Sequence, residues 1–381
     1  MKVGWRVGWA FLPLPVLILP ILILPILILL VLPGAPGVAQ QSALRVATWN
    51  VELARDGPGL LLRDILRGGD EQIDAVAQVI ARAAPDILVL QRVDHDFELR
   101  ALDALRDRIA QQGVQFPYIY ARRPNSGRAT GLDMDGDGRC CDARDAQGFG
   151  WFEGRGGMAV LSRYSIDTDA VRDFSEMLWR DLPGARLPRL DGQPFPSAAA
   201  QAMQRLSSVA HWAIPVDTPE GRLTLLTFHA APPVFDGRED RNGLRNADEI
   251  RFWRLFLDGA FGPAPQGRFV LLGDANLDPH DGDGSKPAIR ALLTDPRLHD
   301  ARPMRPGPVR QQPGQRGDPH LDTVDWPAPG PGRLRASYIL PSADLRVLDS
   351  GVLWPAADDP FLATVRAASR HRLIWADLRP E

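Results

Sequence analysis

Asp274 and Asn276 close the stretch Phe269-Val-Leu-Leu-Gly-Asp-Ala-Asn-Leu-Asp278, in which a run of apolar residues reads as a buried strand ended by Gly273. Two residues apart on extended chain, a carboxylate and a carboxamide can face one way. The carboxylate accepts a proton or holds a cation, and the carboxamide donates an N–H to an anion. By itself the stretch is equally a strand followed by an Asp/Asn turn. Other polar side chains stand at comparable strand ends: Asn50 after Leu44-Arg-Val-Ala-Thr-Trp and His229 after Leu223 to Phe228. His371 lies in Ser-Arg-His-Arg near the C-terminus. Histidine titrates near neutrality, so it suits proton transfer, while on a surface it is merely a polar residue.

A second acidic pattern, Asp133-Met-Asp135-Gly-Asp137-Gly138, has the alternation and the glycine of the front half of a calcium loop. Arg144 stands at the twelfth position, so the segment is not an EF-hand, although Asp142 or Asp145 can complete a ligand set. A structural Ca2+ tying down the long polar loop of residues 121–157 is the expectation. Asp278, Asp281 and Asp283 repeat the pattern, and there a solvated acidic turn is expected. Cys140 and Cys141 are adjacent and form either a vicinal disulfide or two thiols.

The elements that must position these residues begin after a leader. Lys2 and Arg6, the apolar run from Phe11 to Leu32 and the small residues Gly37-Val38-Ala39 read as a secretory signal peptide over 1–39, with an uncleaved membrane anchor as the alternative. Pro13, Pro15, Pro20, Pro25 and Pro33 favour the signal peptide. A periplasmic or secreted protein is expected, with membrane contact only through this segment. Residues 40–381 are expected to form one domain. The net charge of −3 and a pI near 6.2 provide no extended basic surface for nucleic acid.

Leu44 to Val51 and Asp86 to Asp94 read as strands, and Ile73, Val76, Ala77 and Ile80 sit at helical spacing before Pro85. Phe97 to Ile109 reads as a helix, Gly157 to Arg163 as a strand, and Leu206 to Val216 with Leu223 to His229 as a hairpin. Ala247 to Leu257 and Pro287 to Leu293 are expected helices, while Arg335 to Leu340 and Leu373 to Leu378 are expected strands. The rhythm is that of an α/β core with polar groups where strands end. The Trp-containing insertion around 174–196 is expected to cover one end of a sheet.

Thr48-Trp-Asn50, Pro85 to Val93, Gly157 to Arg163, Thr227-Phe-His229, Gly273-Asp-Ala-Asn276 and Ser369-Arg-His371, in this order, resemble the motifs of the endonuclease/exonuclease/phosphatase superfamily. The resemblance implies an α/β (α+β) four-layer sandwich of two packed mixed β-sheets flanked by helices. It also implies metal-dependent hydrolysis of a phosphodiester or phosphomonoester, with Mg2+ or Mn2+ at the site. In those roles His371 is the base and Asp274 aligns or helps activate the water. Asn276 and His229 bind phosphate, and Asn50 helps position the metal.

Three departures stand out. Arg92 replaces the family's metal-binding Glu, Ser337 replaces an Asp that orients the catalytic His, and Arg370 replaces an Asp in the last motif. If the strand continues, residues 92, 94 and 96 share a face, so Asp94, and after it Asp96, are the candidates for the missing metal ligand. Either residue can instead cap the next helix. Without a replacement carboxylate, Arg92 and Arg370 hold phosphate directly and the protein is a catalytically weak or inactive relative that binds phosphate-bearing ligands.

Overall fold

Alternation along Leu44–Leu53 sets the architecture. Ala47, Trp49, Val51 and Leu53 enter one core while Leu44 and Val46 enter another on the opposite face, as period-two side-chain geometry requires. The structure, a computed structural model, describes residues 43–381 together with positions 1, 4, 8 and 10–13. The leader expected over 1–39 therefore lies almost wholly outside the described residues. Among these, no helix is long and apolar enough to cross a membrane.

Two six-stranded sheets form. The first has the order Leu345–Val352, Ile374–Pro380, Leu44–Leu53, Ile87–Val93, Gly157–Ser162, Tyr118–Tyr120. Only Leu44–Leu53 and Ile87–Val93 run parallel in it. The second has the order Ser337–Pro341, Phe269–Asp274, Gly221–His229, His211–Thr218, Ser165–Ile166, with Arg172–Asp173 also pairing to His211–Thr218. Its parallel pair is Gly221–His229 with Phe269–Asp274.

Val46, Val89, Val160 and Ile374 from the first sheet meet Trp212, Ile214, Leu225, Val270, Leu272 and Ile339 from the second in one buried cluster. The outer face of the first sheet is covered by Leu60–Arg67, Glu71–Ala83, Arg100–Ala110 and Phe361–Ala368, and that of the second by Arg241–Leu257 and Lys286–Leu293. The four layers are therefore helix, sheet, sheet, helix, as the sequence motifs imply. Ser42–Glu381 is one compact unit.

Toward one end of the inter-sheet layer the same alternation changes character. Thr48 and Asn50 follow Val46, Gln91 follows Val89, Thr227 and His229 follow Leu225, Asp274 follows Leu272, and Ser337 precedes Ile339. All are buried. A buried polar group without a full set of partners costs about 1–3 kcal/mol, so stability is given up here for something other than packing.

The helix Arg241–Leu257 holds the loops that leave this end. Asn246 Nδ2 donates to the carbonyls of Ala231 and Ala275 at 2.7 and 2.8 Å, one just after His229 and the other just after Asp274. Glu249 accepts from the backbone N–H groups of Ser208 and Ala231 at 2.6 and 2.7 Å. Asn246→Ala removes the donor to one buried and one part-buried carbonyl and is expected to cost about 2 kcal/mol, read as a lower urea midpoint at unchanged slope. A midpoint matching the parent would show that the clamp contributes nothing.

Candidate active site

Asp274 Oδ2 is the centre of the polar end. It accepts from Asn50 Nδ2 at 2.7 Å, and His371 Nδ1 and His229 Nε2 stand 3.6 and 3.9 Å from it. Its other oxygen accepts the Asn276 backbone N–H at 3.0 Å. The structure thus brings together Asn50, His229, Asp274, Asn276 and His371. Asn50 Oδ1, His229 Nδ1, both ring nitrogens of His371 and Ser337 Oγ are buried without a hydrogen-bond partner, a concentration of unspent polar capacity at one spot.

Local backbone explains the convergence. A Cβ at position 273 would lie 2.2 Å from the Phe228 carbonyl oxygen, so only glycine lets the two parallel strands approach closely enough to set His229 opposite Asp274. Asn276 then turns in the left-handed region at φ 49°, which asparagine tolerates, and its Nδ2 donates to Ala230 O at 2.9 Å. The expected phosphate donor therefore spends that amide nitrogen on joining the two motif loops. His371 is fixed from behind: its N–H donates to Ser369 Oγ at 3.0 Å and its carbonyl accepts from Trp49 Nε1 at 3.1 Å.

The sequence reading overlooked Glu52. The register of Leu44–Leu53 against Ile87–Val93 shifts after Asn50, and that of Ile87–Val93 against Gly157–Ser162 shifts after Gln91. At these irregularities Glu52 and Arg92 both adopt left-handed backbone, φ 53° and 58°. Such conformations cost roughly 1–3 kcal/mol each in residues other than glycine. Glu52 accepts from the Arg370 N–H at 2.9 Å, from Ser369 Oγ at 3.1 Å and from the Arg370 guanidinium. Arg92 NH1 lies 3.6 Å from Glu52 Oε1. The signal that would have found Glu52 was charge balance: two arginines entering at 92 and 370 need a carboxylate, and Glu52 is two residues beyond Asn50.

Asp94 and Asp96 are not that carboxylate. The strand stops at Val93, and left-handed Arg92 breaks the alternation on which their shared face depended. Asp94 accepts the backbone N–H groups of Arg55 and Gly156, each at 2.8 Å, and so braces two loops with both oxygens. Asp96 accepts from Arg100 N and Ala101 N, both at 2.8 Å, and caps the Arg100–Ala110 helix.

Elsewhere, Asp133, Asp135 and Asp137 do converge, each offering an oxygen within 4.8 Å of the others. Asp145 instead binds the Met134 and Asp142 N–H groups at 2.8 and 3.0 Å. Cys140 and Cys141 are joined as a disulfide. Asp278 and Asp281 accept backbone N–H groups of their own loop and of residues 316, 317 and 335. Trp179 is buried and donates to Asp248 at 2.8 Å, so the insertion packs on its own domain.

The resemblance of the motifs implies a divalent metal at this site. A Mg2+-like ion wants oxygen ligands including one or two carboxylates. Asn50 Oδ1 is available and each Asp274 oxygen accepts a single hydrogen bond, but both Glu52 oxygens are engaged by Ser369, the Arg370 backbone and the Arg370 guanidinium and face Arg92. At about 5 Å and an effective dielectric constant of about 20, unit charges repel by about 3 kcal/mol, and a dication meets twice that from each arginine. The residues present do not fit a divalent cation beside Arg92 and Arg370.

Burial raises the Glu52 carboxyl, but hydrogen bonds from Arg370 and the positive charge around it prevail and bring it from 4.5 down to about 2. A carboxyl depressed in the folded state stabilises the fold fully above its unfolded pKa and ceases to do so as pH falls through the folded one. Glu52→Gln is therefore expected to lower stability at pH 7 by about 3 kcal/mol, the difference from the parent shrinking as pH drops from 4.5 toward 2. Urea midpoints at pH 7, 5, 4 and 3 measure it, and a pH-independent difference would contradict the ion-pair assignment.

The model of the Endonuclease/Exonuclease/phosphatase family matches residues 47–371. Among curated proteins, none matches. An endonuclease/exonuclease/phosphatase structure from Beutenbergia cavernae DSM 12333 is similar at a TM-score of 0.51 and 18% identity, covering 89% of this chain and 72% of that one. A family protein from Leptotrichia buccalis C-1013-b is similar at 0.50 and 18%, covering 88% of this chain and 100% of that one. At such identity the likeness concerns the fold. The family match takes in both the first motif strand and His371, and the chain belongs to the endonuclease/exonuclease/phosphatase family.

Proposed function

We propose that this protein is an exported phosphoesterase, hydrolysing a phosphodiester or phosphomonoester by attack of water on phosphorus. The observation that carries the reading is the convergence of His371, His229 and Asn50 on Asp274 Oδ2, with both ring nitrogens of His371 and Nδ1 of His229 unspent. Burial lowers the pKa of His371 against the pull of Asp274 and Glu52, so the imidazole is the free base at neutral pH. It takes the proton of the attacking water as the oxygen–phosphorus bond forms and the ester oxygen departs. Asp274, itself held by Asn50, stabilises the imidazolium that results. His229, brought down to about 4 by burial, is neutral and supplies a ring N–H to a phosphoryl oxygen.

A second reading, a phosphate-binding relative of weak or no activity, is favoured by Ser337. It pairs with Asp274 across the sheet, where the family resemblance implies a carboxylate beside His371, and its hydroxyl has no partner. For the expected Mg2+ or Mn2+, support in the donor set is limited to Asn50 Oδ1 and Asp274, with Arg92 and Arg370 opposing, and no step is assigned to either ion. Export rests on the basic, apolar and small-residue pattern of positions 1–39.

Release of p-nitrophenol from bis-p-nitrophenyl phosphate and p-nitrophenyl phosphate decides between the two readings. Asp274→Ala and His371→Ala are each expected to lower kcat/KM by about 100-fold or more with unchanged circular dichroism. Because the neutral imidazole is the active form and its pKa is lowered, the acid limb of the pH profile is expected below 6.5. Activity insensitive to both substitutions removes this site from the reaction, and silence toward both esters in folded protein favours the binding relative.

We further propose that Asp133, Asp135 and Asp137 hold a structural Ca2+, which relieves the repulsion among their converging carboxylates. About 1 mM Ca2+ after chelation is expected to raise Tm by roughly 2 °C, and Asp135→Asn to abolish the rise. An equal Tm with and without calcium would rule out the site.

A further inference from the structure

The guanidinium groups at the site have capacity that the protein itself does not use. Arg92 is half-buried, and its one charged partner, Glu52, lies at 3.6 Å, beyond hydrogen-bond reach; no other acceptor meets it among the described residues. Burial, with Arg370 and Arg155 nearby, lowers its pKa. An anion satisfies such a group, and a cation opposes it. Arg370 turns Nε and one terminal nitrogen to Glu52 and lies 4.5 Å over the Trp326 ring. That ring meets His371 edge-on at 5.2 Å, so Trp326 fixes the plane of the guanidinium beside the imidazole. Trp326 is itself held by the hairpin of Val324–Asp325 and Arg333–Leu334: its N–H donates to Gly332 O at 2.9 Å, and Asp325 N donates to Arg370 O at 3.0 Å.

Charge counting leads the same way. Glu52 and Asp274 carry two negative charges, and Arg92 and Arg370 carry two positive ones, the balance that a dication would give against the same two carboxylates. Guanidinium groups also match phosphate oxygens in geometry, donating in parallel from a planar fork.

We infer that Arg92 and Arg370 hold the phosphate group of the ligand in place of a divalent cation, with Glu52 keeping the two guanidinium groups together until the anion displaces it. The inference deepens the phosphoester reading and rests on it for the ligand class. Phosphate binding here needs no metal.

The test is isothermal titration of inorganic phosphate into the full chain, in excess EDTA and again with Mg2+ or Mn2+. Binding in EDTA is expected, with Kd changed less than about twofold by either metal. Arg92→Gln and Arg370→Gln are each expected to weaken binding about tenfold or more, as loss of one charge-assisted contact implies, while Arg92→Lys loses less. Glutamine keeps a side chain at the left-handed position 92, and thermal melts confirm that each variant folds. Binding that needs Mg2+ or Mn2+, or that survives Arg92→Gln unchanged, overturns the inference. The same samples are assayed with bis-p-nitrophenyl phosphate. Metal-free phosphate binding without turnover sinks the hydrolytic reading and leaves this inference standing, and turnover together with phosphate binding that needs added metal does the reverse.

Discussion

The hydrogen bond from Asn50 to Asp274 joins the two sheets at the end where their shared core stops being apolar. Each residue occupies the core-facing register of its strand, Asp274 one step beyond Leu272 and Asn50 two steps beyond Val46, past the positions that pack the inter-sheet layer. An apolar pair there would close the sandwich with more stability. A charge-assisted pair instead leaves a carboxylate in a desolvated setting where its influence on neighbouring groups is large. The histidines inherit their environment from that choice, since burial lowers both pKa values while Asp274 opposes it. The same desolvation that makes the site costly makes it chemically useful.

Charge at the mouth of this site has been redistributed. The carboxylate sits at Glu52 on the first strand, and a guanidinium occupies the neighbouring strand at Arg92. Both stand at register irregularities with left-handed backbone, a conformation that persists only where surrounding structure holds it. Arg370, stacked on Trp326, supplies the second positive charge. The carboxylate and the guanidinium on adjacent strands attract each other across the bulge.

Much of this framework was legible in the sequence because it follows from periodicity. The strands ending near Asn50 and His229 alternate, the one ending at Asp274 is a short apolar run, and Glu71–Ala83 shows helical spacing. Legibility failed where polar residues are buried. The helix expected from Ala247 starts at Arg241, because Arg245, Asn246, Asp248 and Glu249 face inward to hold loops and blur its apolar stripe. Leu345–Val352 went unread because it is an edge strand with exposed Arg346 and Asp349, residues that suit an edge and disguise a strand. Asp94 was misplaced because sequence alternation cannot reveal a single left-handed residue, and Arg92 is one.

Glu52 shows the same limit at the level of chemistry. As one residue in Thr48-Trp-Asn-Val-Glu52 it carries no motif, and straight alternation would set it on the same face as Asn50. Its importance comes from contacts more than three hundred positions away in the chain, with Ser369 and Arg370. Those contacts depend on Leu44–Leu53 and Ile374–Pro380 being antiparallel neighbours, which sets the turn 369–371 beside the end of the first strand. Once that neighbour relation is known, the arginine at 370 and the glutamate at 52 explain each other. An arginine that looks unpartnered when read along the chain has its carboxylate when read across the sheet.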